Sequence, residues 1–120
     1  LGWYGELPKA MSGDALAQHI HGVLGRQPLY VAGNQQPIKT IAWVTGAAQD
    51  AIEQAKALGV DAFLTGEMSE RTFHFAKEEG IHFYAAGHHA TERYGVQALG
   101  RHLVEQFGLT HHFIDIDNPI

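Results

Sequence analysis

Two adjacent histidines, His88 and His89, follow a glycine in the C-terminal third of the chain, and Glu92 comes shortly after them. On a helix, His88 and Glu92 would lie on one face, one turn apart, and His89 and Glu92 could also meet. An imidazole and a carboxylate on adjacent turns can chelate a transition metal. The same residues could also serve in acid–base chemistry, or only begin a helix, where the dipole favours an early glutamate. Two ligands do not complete a zinc site, so the spacing alone leaves all three interpretations open.

The elements that would position these residues are three short apolar runs, each ending in a glycine and each followed by a helical pattern. The runs are TIAWVTG (40–46), VDAFLTGE (60–67) and IHFYAAG (81–87). This alternation predicts right-handed crossovers and a mostly parallel sheet with helices on both faces, a three-layer α/β fold. The glycines Gly46, Gly66 and Gly87 are then expected at the same edge of the sheet.

Polar side chains stand at or near these strand ends, where open parallel sheets bind ligands. We therefore expect a set of residues to converge on one cleft: Thr45, Thr65, Glu67, His88 and Glu92. The alternative is that glycine occurs in these loops for turn geometry alone.

The remaining segments frame this central pattern. The aromatic start, LGWYGELPKAM, is predicted to be an edge strand or a docking arm, and Ser12 is predicted to cap a first helix. The closing HHFIDID (111–117) alternates polar and apolar residues and is predicted to be a last strand, either parallel or an antiparallel edge. The longest helix is expected over about residues 91–107, with four apolar residues facing inward: Val96, Leu99, Leu103 and Phe107.

The composition limits the classes of function. The chain has 120 residues, which predicts one domain (1–120), and its formal net charge is −5 with only eight Lys and Arg, which argues against a duplex DNA partner. The lack of cysteine excludes disulfides, zinc–thiolate sites and cysteine nucleophiles. No apolar run approaches the roughly 20 residues of a membrane helix and no signal-peptide pattern opens the chain, so we expect a soluble cytoplasmic protein with no membrane partner.

Three motifs, GVDAFLTGE, HFYAAGHHATER and FIDIDNP, closely resemble the Nif-three-like family, whose bacterial members are named GTP cyclohydrolase type-two homologues. The resemblance covers essentially the whole chain. It implies a fold of two similar α/β halves, of which this chain corresponds to the second, C-terminal half. It also implies a toroidal homo-hexamer and two divalent metal ions in the cleft between the halves.

The resemblance assigns the metal ligands of the second half to His88 and Glu92. His89 is not carried over, and Glu67 is expected beside the site without binding metal. Successive residues at a helix start are turned by about 100°, so the two histidines cannot face Glu92 equally. Nothing in the chain matches the first half of the family, which carries the remaining ligands, so the site in this chain is expected to be incomplete.

The expected function is that of a metal-dependent hydrolase of unknown substrate. The ions could be iron, zinc, manganese or nickel, because imidazole and carboxylate suit all of them. The alternative is a non-enzymatic ring-forming scaffold, or a metal-binding adaptor that contacts a regulator or nucleic acid, although the acidic composition argues against direct binding of nucleic acid.

Overall fold

The computed structural model describes residues 2–120, in which five strands and four α-helices largely alternate. In chain order they are β1 (Trp3–Met11), α1 (Gly13–Leu24), β2 (Leu29–Val31), β3 (Ile38–Trp43), α2 (Ile52–Leu58), β4 (Ala62–Thr65), α3 (Glu70–Glu79), β5 (His82–Ala85) and α4 (His88–Phe107). A single 3₁₀ turn, Gln49–Ala51, leads into α2.

The five strands form one mixed sheet in the order β1-β3-β4-β5-β2. The three central strands are parallel, and the two outer strands, β1 and β2, pair antiparallel to their neighbours. The loops after β3, β4 and β5 leave the sheet at one edge, where the Gly66 N–H donates to Gly46 O and the Gly87 N–H donates to Gly66 O, both at 2.9 Å. The prediction of three parallel strands with their glycines at a common edge is confirmed.

Helices cover both faces of the sheet, as predicted. On one face α2 and α3 enclose a core around Phe63 and Phe83, and on the other α1 packs Leu16 and Ile20 against Tyr84. Ser12 caps α1 by accepting a hydrogen bond from the Ala15 N–H at 3.2 Å, as the sequence indicated. Within residues 2–120, no helix is both long enough and apolar enough to cross a membrane.

The C-terminal region differs from the prediction. The segment 111–117 was expected to be a strand, but residues 108–120 carry no regular secondary structure and run back beside α4, where His111 lies against Gly100. The helix itself begins earlier than predicted, at His88. The expected inward face of α4 is also wrong: Val96, Leu99 and Phe107 are 59%, 58% and 69% exposed, and Leu103 is half-buried. Within residues 2–120, neither hydrophobic core includes any of these four side chains.

Asp61, just before β4, fastens the other edge of the sheet, away from the glycine loops. Its carboxylate accepts hydrogen bonds from the Lys39 N–H at 2.9 Å, and from the Thr40 N–H and hydroxyl at 2.8 and 2.9 Å. Desolvation raises the pKa of Asp61, but the hydrogen bonds from Thr40 and Lys39 outweigh it, and the pKa lies below its ordinary value.

Replacing Asp61 by alanine is expected to lower the free energy of unfolding by about 2–3 kcal/mol, because two strand amides lose a charged acceptor. Since the folded-state pKa is lowered, this contribution is complete above the unfolded pKa of about 3.9 and is lost as the pH falls through the folded-state value. Urea unfolding of Asp61→Ala at pH 7 and at pH 3 measures both effects. Asp50→Ala, which removes an exposed ion pair with Arg71, is the control and should change little. Equal effects of the two variants would contradict this role for Asp61.

Candidate metal centre

His88 lies between two glutamates at the carboxyl edge of the sheet. Its Nδ1 is 2.6 Å from Glu67 Oε1, in the loop after β4, and its Nε2 is 3.1 Å from Glu92 Oε2, one turn further along α4. All three side chains remain partly exposed, at 37%, 34% and 51% for His88, Glu67 and Glu92. The structure thus brings together three of the five side chains that the sequence analysis expected to converge.

The imidazole of His88 is held in one orientation. A carboxylate only accepts, so Nδ1 carries a proton that it donates to Glu67, and Nε2 is left to face Glu92. The hydrogen bond to Glu67 raises the pKa of His88, against partial desolvation, and the charge of Glu92 raises it further. Without a metal the pair of carboxylates therefore favours an imidazolium, and a divalent cation must take the place of the Nε2 proton.

The chemistry and spacing of His88 and Glu92 fit two ligands of one ion. Two donors that each lie about 2.1 Å from an ion at a tetrahedral angle are about 3.4 Å apart, close to the 3.1 Å between Nε2 and Oε2. Gly46 leaves room beside them: an added Cβ would lie 2.3 Å from Glu92 Oε1 and 3.1 Å from His88 Nε2. Within residues 2–120, however, no group of three or more His, Cys, Asp or Glu is arranged to hold a metal.

The two threonines predicted to line the cleft lie elsewhere. Thr65 is completely buried, where its hydroxyl donates to Gly46 O at 3.0 Å, so it supports the loop and the expectation that it lines a cleft is corrected. Thr45 is exposed but borders a separate apolar hollow that includes Trp43. Thr91 plays an unpredicted part, since its Oγ1 accepts from the Gly46 N–H at 3.0 Å and so ties this loop to the first turn of α4.

His89 points away from His88, toward the C-terminal segment. Its Nε2 is 2.8 Å from Asp115 Oδ1, and Arg93 Nη1 donates to Asp115 Oδ2 at 2.9 Å. Asp115 was interpreted from sequence only as one polar position of an alternating strand. The FIDIDNP motif was the sequence feature that could have shown its importance, but its partners lie more than 20 residues earlier in the chain.

A cavity of about 470 Å³ opens beside His88 and Glu92, between α4 and the C-terminal segment. Apolar side chains from both elements line part of it, namely Val96, Phe113 and Ile120. The candidate metal ligands thus border a partly apolar space rather than a cleft that runs along the strand ends. Residues of the C-terminal segment, and not Thr45 and Thr65, line the space beside the candidate ligands.

Two curated bacterial proteins are similar in sequence to this chain over nearly its whole length. GTP cyclohydrolase 1 type 2 homolog from Allochromatium vinosum is 54% identical over 117 residues, which are 98% of this chain and 46% of that protein. The protein of the same name from Pseudomonas aeruginosa is 57% identical over 115 residues, 96% of this chain and 45% of its own length. The chain therefore spans about half the length of the curated relatives it matches.

Solved structures agree with the fold. The protein ybgI, whose function is described as unknown, superposes with a TM-score of 0.94 at 49% identity, over 98% of this chain and 48% of its own. TTHA1606 from Thermus thermophilus gives 0.78 at 30% identity, over 98% and 45%. These partial coverages are consistent with one half of a two-lobed fold. The sequence model for Duf34/NIF3 (NGG1p interacting factor 3) matches residues 1–119, and the chain belongs to that family.

Proposed function

We propose that this chain supplies two ligands, His88 and Glu92, to a divalent metal centre in a metal-dependent hydrolase. The observation that carries the proposal is the hydrogen bond from His88 Nδ1 to Glu67 at 2.6 Å. Histidines that bind metal through one ring nitrogen commonly donate the other N–H to a carboxylate, which fixes the tautomer and raises the basicity of the ligand. Glu67 therefore orients the His88 ring and is not itself a metal ligand.

The proposed centre holds two divalent ions per complete protein, and iron, zinc, manganese and nickel are all compatible with its donors. His88 and Glu92 are too few for such a centre. We propose that the remaining ligands belong to a region equivalent to the half of the longer relatives that this chain does not match. We further propose a cytoplasmic protein that self-associates as a homo-hexamer through surfaces that include the exposed apolar half of α4, where Val96 and Leu99 lie.

The residues of this chain would hold the metal ligand His88 in its orientation and offset part of the charge of the metal ions. Divalent ions in such a centre activate a water and polarise a carbonyl or phosphoryl oxygen. With an ion in place of the Nε2 proton, His88 would bind it through Nε2 while Glu67 keeps the proton on Nδ1, and Glu92 would offset part of the positive charge. The cavity walls at Phe113 and Ile120 would exclude water on one side of the substrate.

One experiment tests the proposal on this chain and on the full-length Pseudomonas aeruginosa relative, which is about twice as long. Each is loaded with zinc, manganese or ferrous iron, dialysed, and assayed for metal content and for hydrolysis of a nucleotide panel that begins with GTP. Light scattering at tens of micromolar measures self-association in the same samples. We expect weak metal retention by this chain, firm retention by the relative, and turnover that requires the metal. Metal retention without turnover over a broad panel would favour the non-enzymatic scaffold.

A further inference from the structure

The C-terminal segment reaches the first turn of α4, the turn that carries His88. The first amides of any helix lack intrahelical acceptors, and Gly87, which precedes α4, has no side chain to cap them. Ile120, 31 positions after His89, supplies one: its carbonyl accepts the His89 N–H at 3.1 Å. An acceptor from a distant part of the chain therefore completes the start of the candidate metal-binding helix.

Asp115 makes a second connection to the same turn. One carboxylate oxygen accepts a hydrogen bond from His89 Nε2 at 2.8 Å and the other accepts one from Arg93 Nη1 at 2.9 Å. A single side chain therefore bridges two successive turns of α4. Arg93 also donates to Leu24 O at the end of α1. The hydrogen bond from His89 and the positive charge of Arg93 hold the pKa of Asp115 below its usual range, so this carboxyl is ionised near neutral pH.

Arg26 holds the end of the segment from the α1 side. Its guanidinium donates to Asn118 O at 3.4 Å and to Pro119 O, and its side chain packs against Gly87, where a Cβ would lie 2.6 Å from Arg26 Nη1. The segment thus contacts His89 directly and Gly87 through Arg26, and these are the residues on either side of His88. The contacts that hold the C-terminal segment therefore involve Arg26, His89, Arg93, Asp115 and the backbone of 118–120.

We propose that Asp115 is a positioning residue for the metal centre, acting through His89 and the first turn of α4. Neighbouring residues on a helix are turned by about 100°. Holding His89 against Asp115 therefore sets the rotation at which His88 faces Glu67 and Glu92. It also occupies the His89 imidazole, so that only one of the two adjacent histidines is free to bind a cation. The consequence for metal binding rests on the function proposed above.

Asp115→Asn is the variant that tests this proposal. His89 and Arg93 donate to different oxygens of the carboxylate, and an amide keeps only one of these oxygens and none of the charge. Asp117→Asn is the matched control: it removes the same charge from the same exposed segment and leaves the Asp115 bridge intact. Thermal unfolding of both variants should stay near that of the wild type.

The first measurements need no metal. Hydrogen exchange of amides 89–91 should accelerate by roughly tenfold in Asp115→Asn, as expected when a charge-assisted contact is lost, and should be unchanged in Asp117→Asn. The Nδ1–H resonance of the His88 ring should broaden in the same variant. Equal exchange in the two variants, or an unchanged His88 ring, would overturn the positioning role.

A zinc titration then tests the functional consequence. We expect zinc affinity to fall by about three- to tenfold in Asp115→Asn and to stay unchanged in Asp117→Asn. This loss is smaller than the roughly 10–100-fold loss typical when a residue that is hydrogen-bonded to a metal ligand is replaced. Faster exchange with unchanged zinc affinity would also overturn the proposal. If neither this chain nor the full-length relative bound zinc, the proposed function would fall. The exchange rates and the His88 ring resonance would still decide whether Asp115 positions His88.

Discussion

Replacing His88 by alanine is expected to abolish measurable zinc binding by this chain, a loss of at least about tenfold, whereas His89→Ala is expected to change the affinity by less than about threefold. The reason is geometric: His88 Nε2 faces Glu92 at 3.1 Å, while the His89 ring is bound to Asp115. Removing a direct ligand costs more than the 10–100-fold typical of an outer-shell partner, and weak wild-type affinity limits the loss that can be seen. Isothermal titration with zinc measures both variants.

Two further results would separate the parts of this assignment. Glu92→Gln should also weaken zinc binding, because the amide keeps the shape but lacks the charge that offsets the dication. If His89→Ala removed the metal and His88→Ala did not, the ligand assignment would be wrong. If the chain by itself held two equivalents of metal tightly, the remaining ligands could not lie outside these 120 residues.

Gly66→Ala is expected to lower the free energy of unfolding by about 3 kcal/mol or more, since forcing an extra methyl group into a packed site strains the backbone. An added Cβ would lie 2.7 Å from both Gly46 O and His88 Cα, and 2.9 Å from His88 N. These are backbone atoms of the loop after β3 and of the first residue of α4, so no side-chain rotation relieves the clash. For a domain of this size the melting temperature should fall by about 10 °C, which calorimetry measures.

Gly95→Ala is the matched control for this prediction. Gly95 lies within α4, and an added Cβ there meets nothing within 4 Å. Alanine favours helix over glycine by up to about 1 kcal/mol, so this variant should be neutral or slightly more stable. A Gly66→Ala protein as stable as Gly95→Ala would show that the loops can separate, and that their close approach is not required.

The central part of the fold and the core of the site were predictable because they follow local rules. An apolar run that ends in glycine and leads into a helix specifies a parallel strand, and a four-residue spacing places His88 and Glu92 on one helix face. The contact with Glu67 followed once the strands were known to be parallel. Thr65 was misplaced because a strand-end hydroxyl can turn inward to a loop carbonyl as readily as outward to a cleft.

The C-terminal region could not be predicted from local pattern. Alternating residues indicate a strand only when a neighbouring strand is available, and 111–117 has no such partner within residues 2–120. The helical stripe through Val96 and Leu99 likewise indicates an apolar face but does not say what covers it. Both patterns depend on long-range contacts, and the bond from His89 to Asp115, 26 residues apart, is of the same kind.

The hydrogen bonds that link Gly46, Gly66 and Gly87 have a consequence for how the site opens. Because they continue the hydrogen-bonding of β3, β4 and β5 beyond the last strand residues, the three loops share the cooperative unit of the central sheet. Loops that carry function often open at low free energy, independently of the scaffold beneath them. Here the amides of Gly66 and Gly87 should exchange only when the sheet itself opens, so the surroundings of His88 unfold globally rather than as a separate, easily melted region.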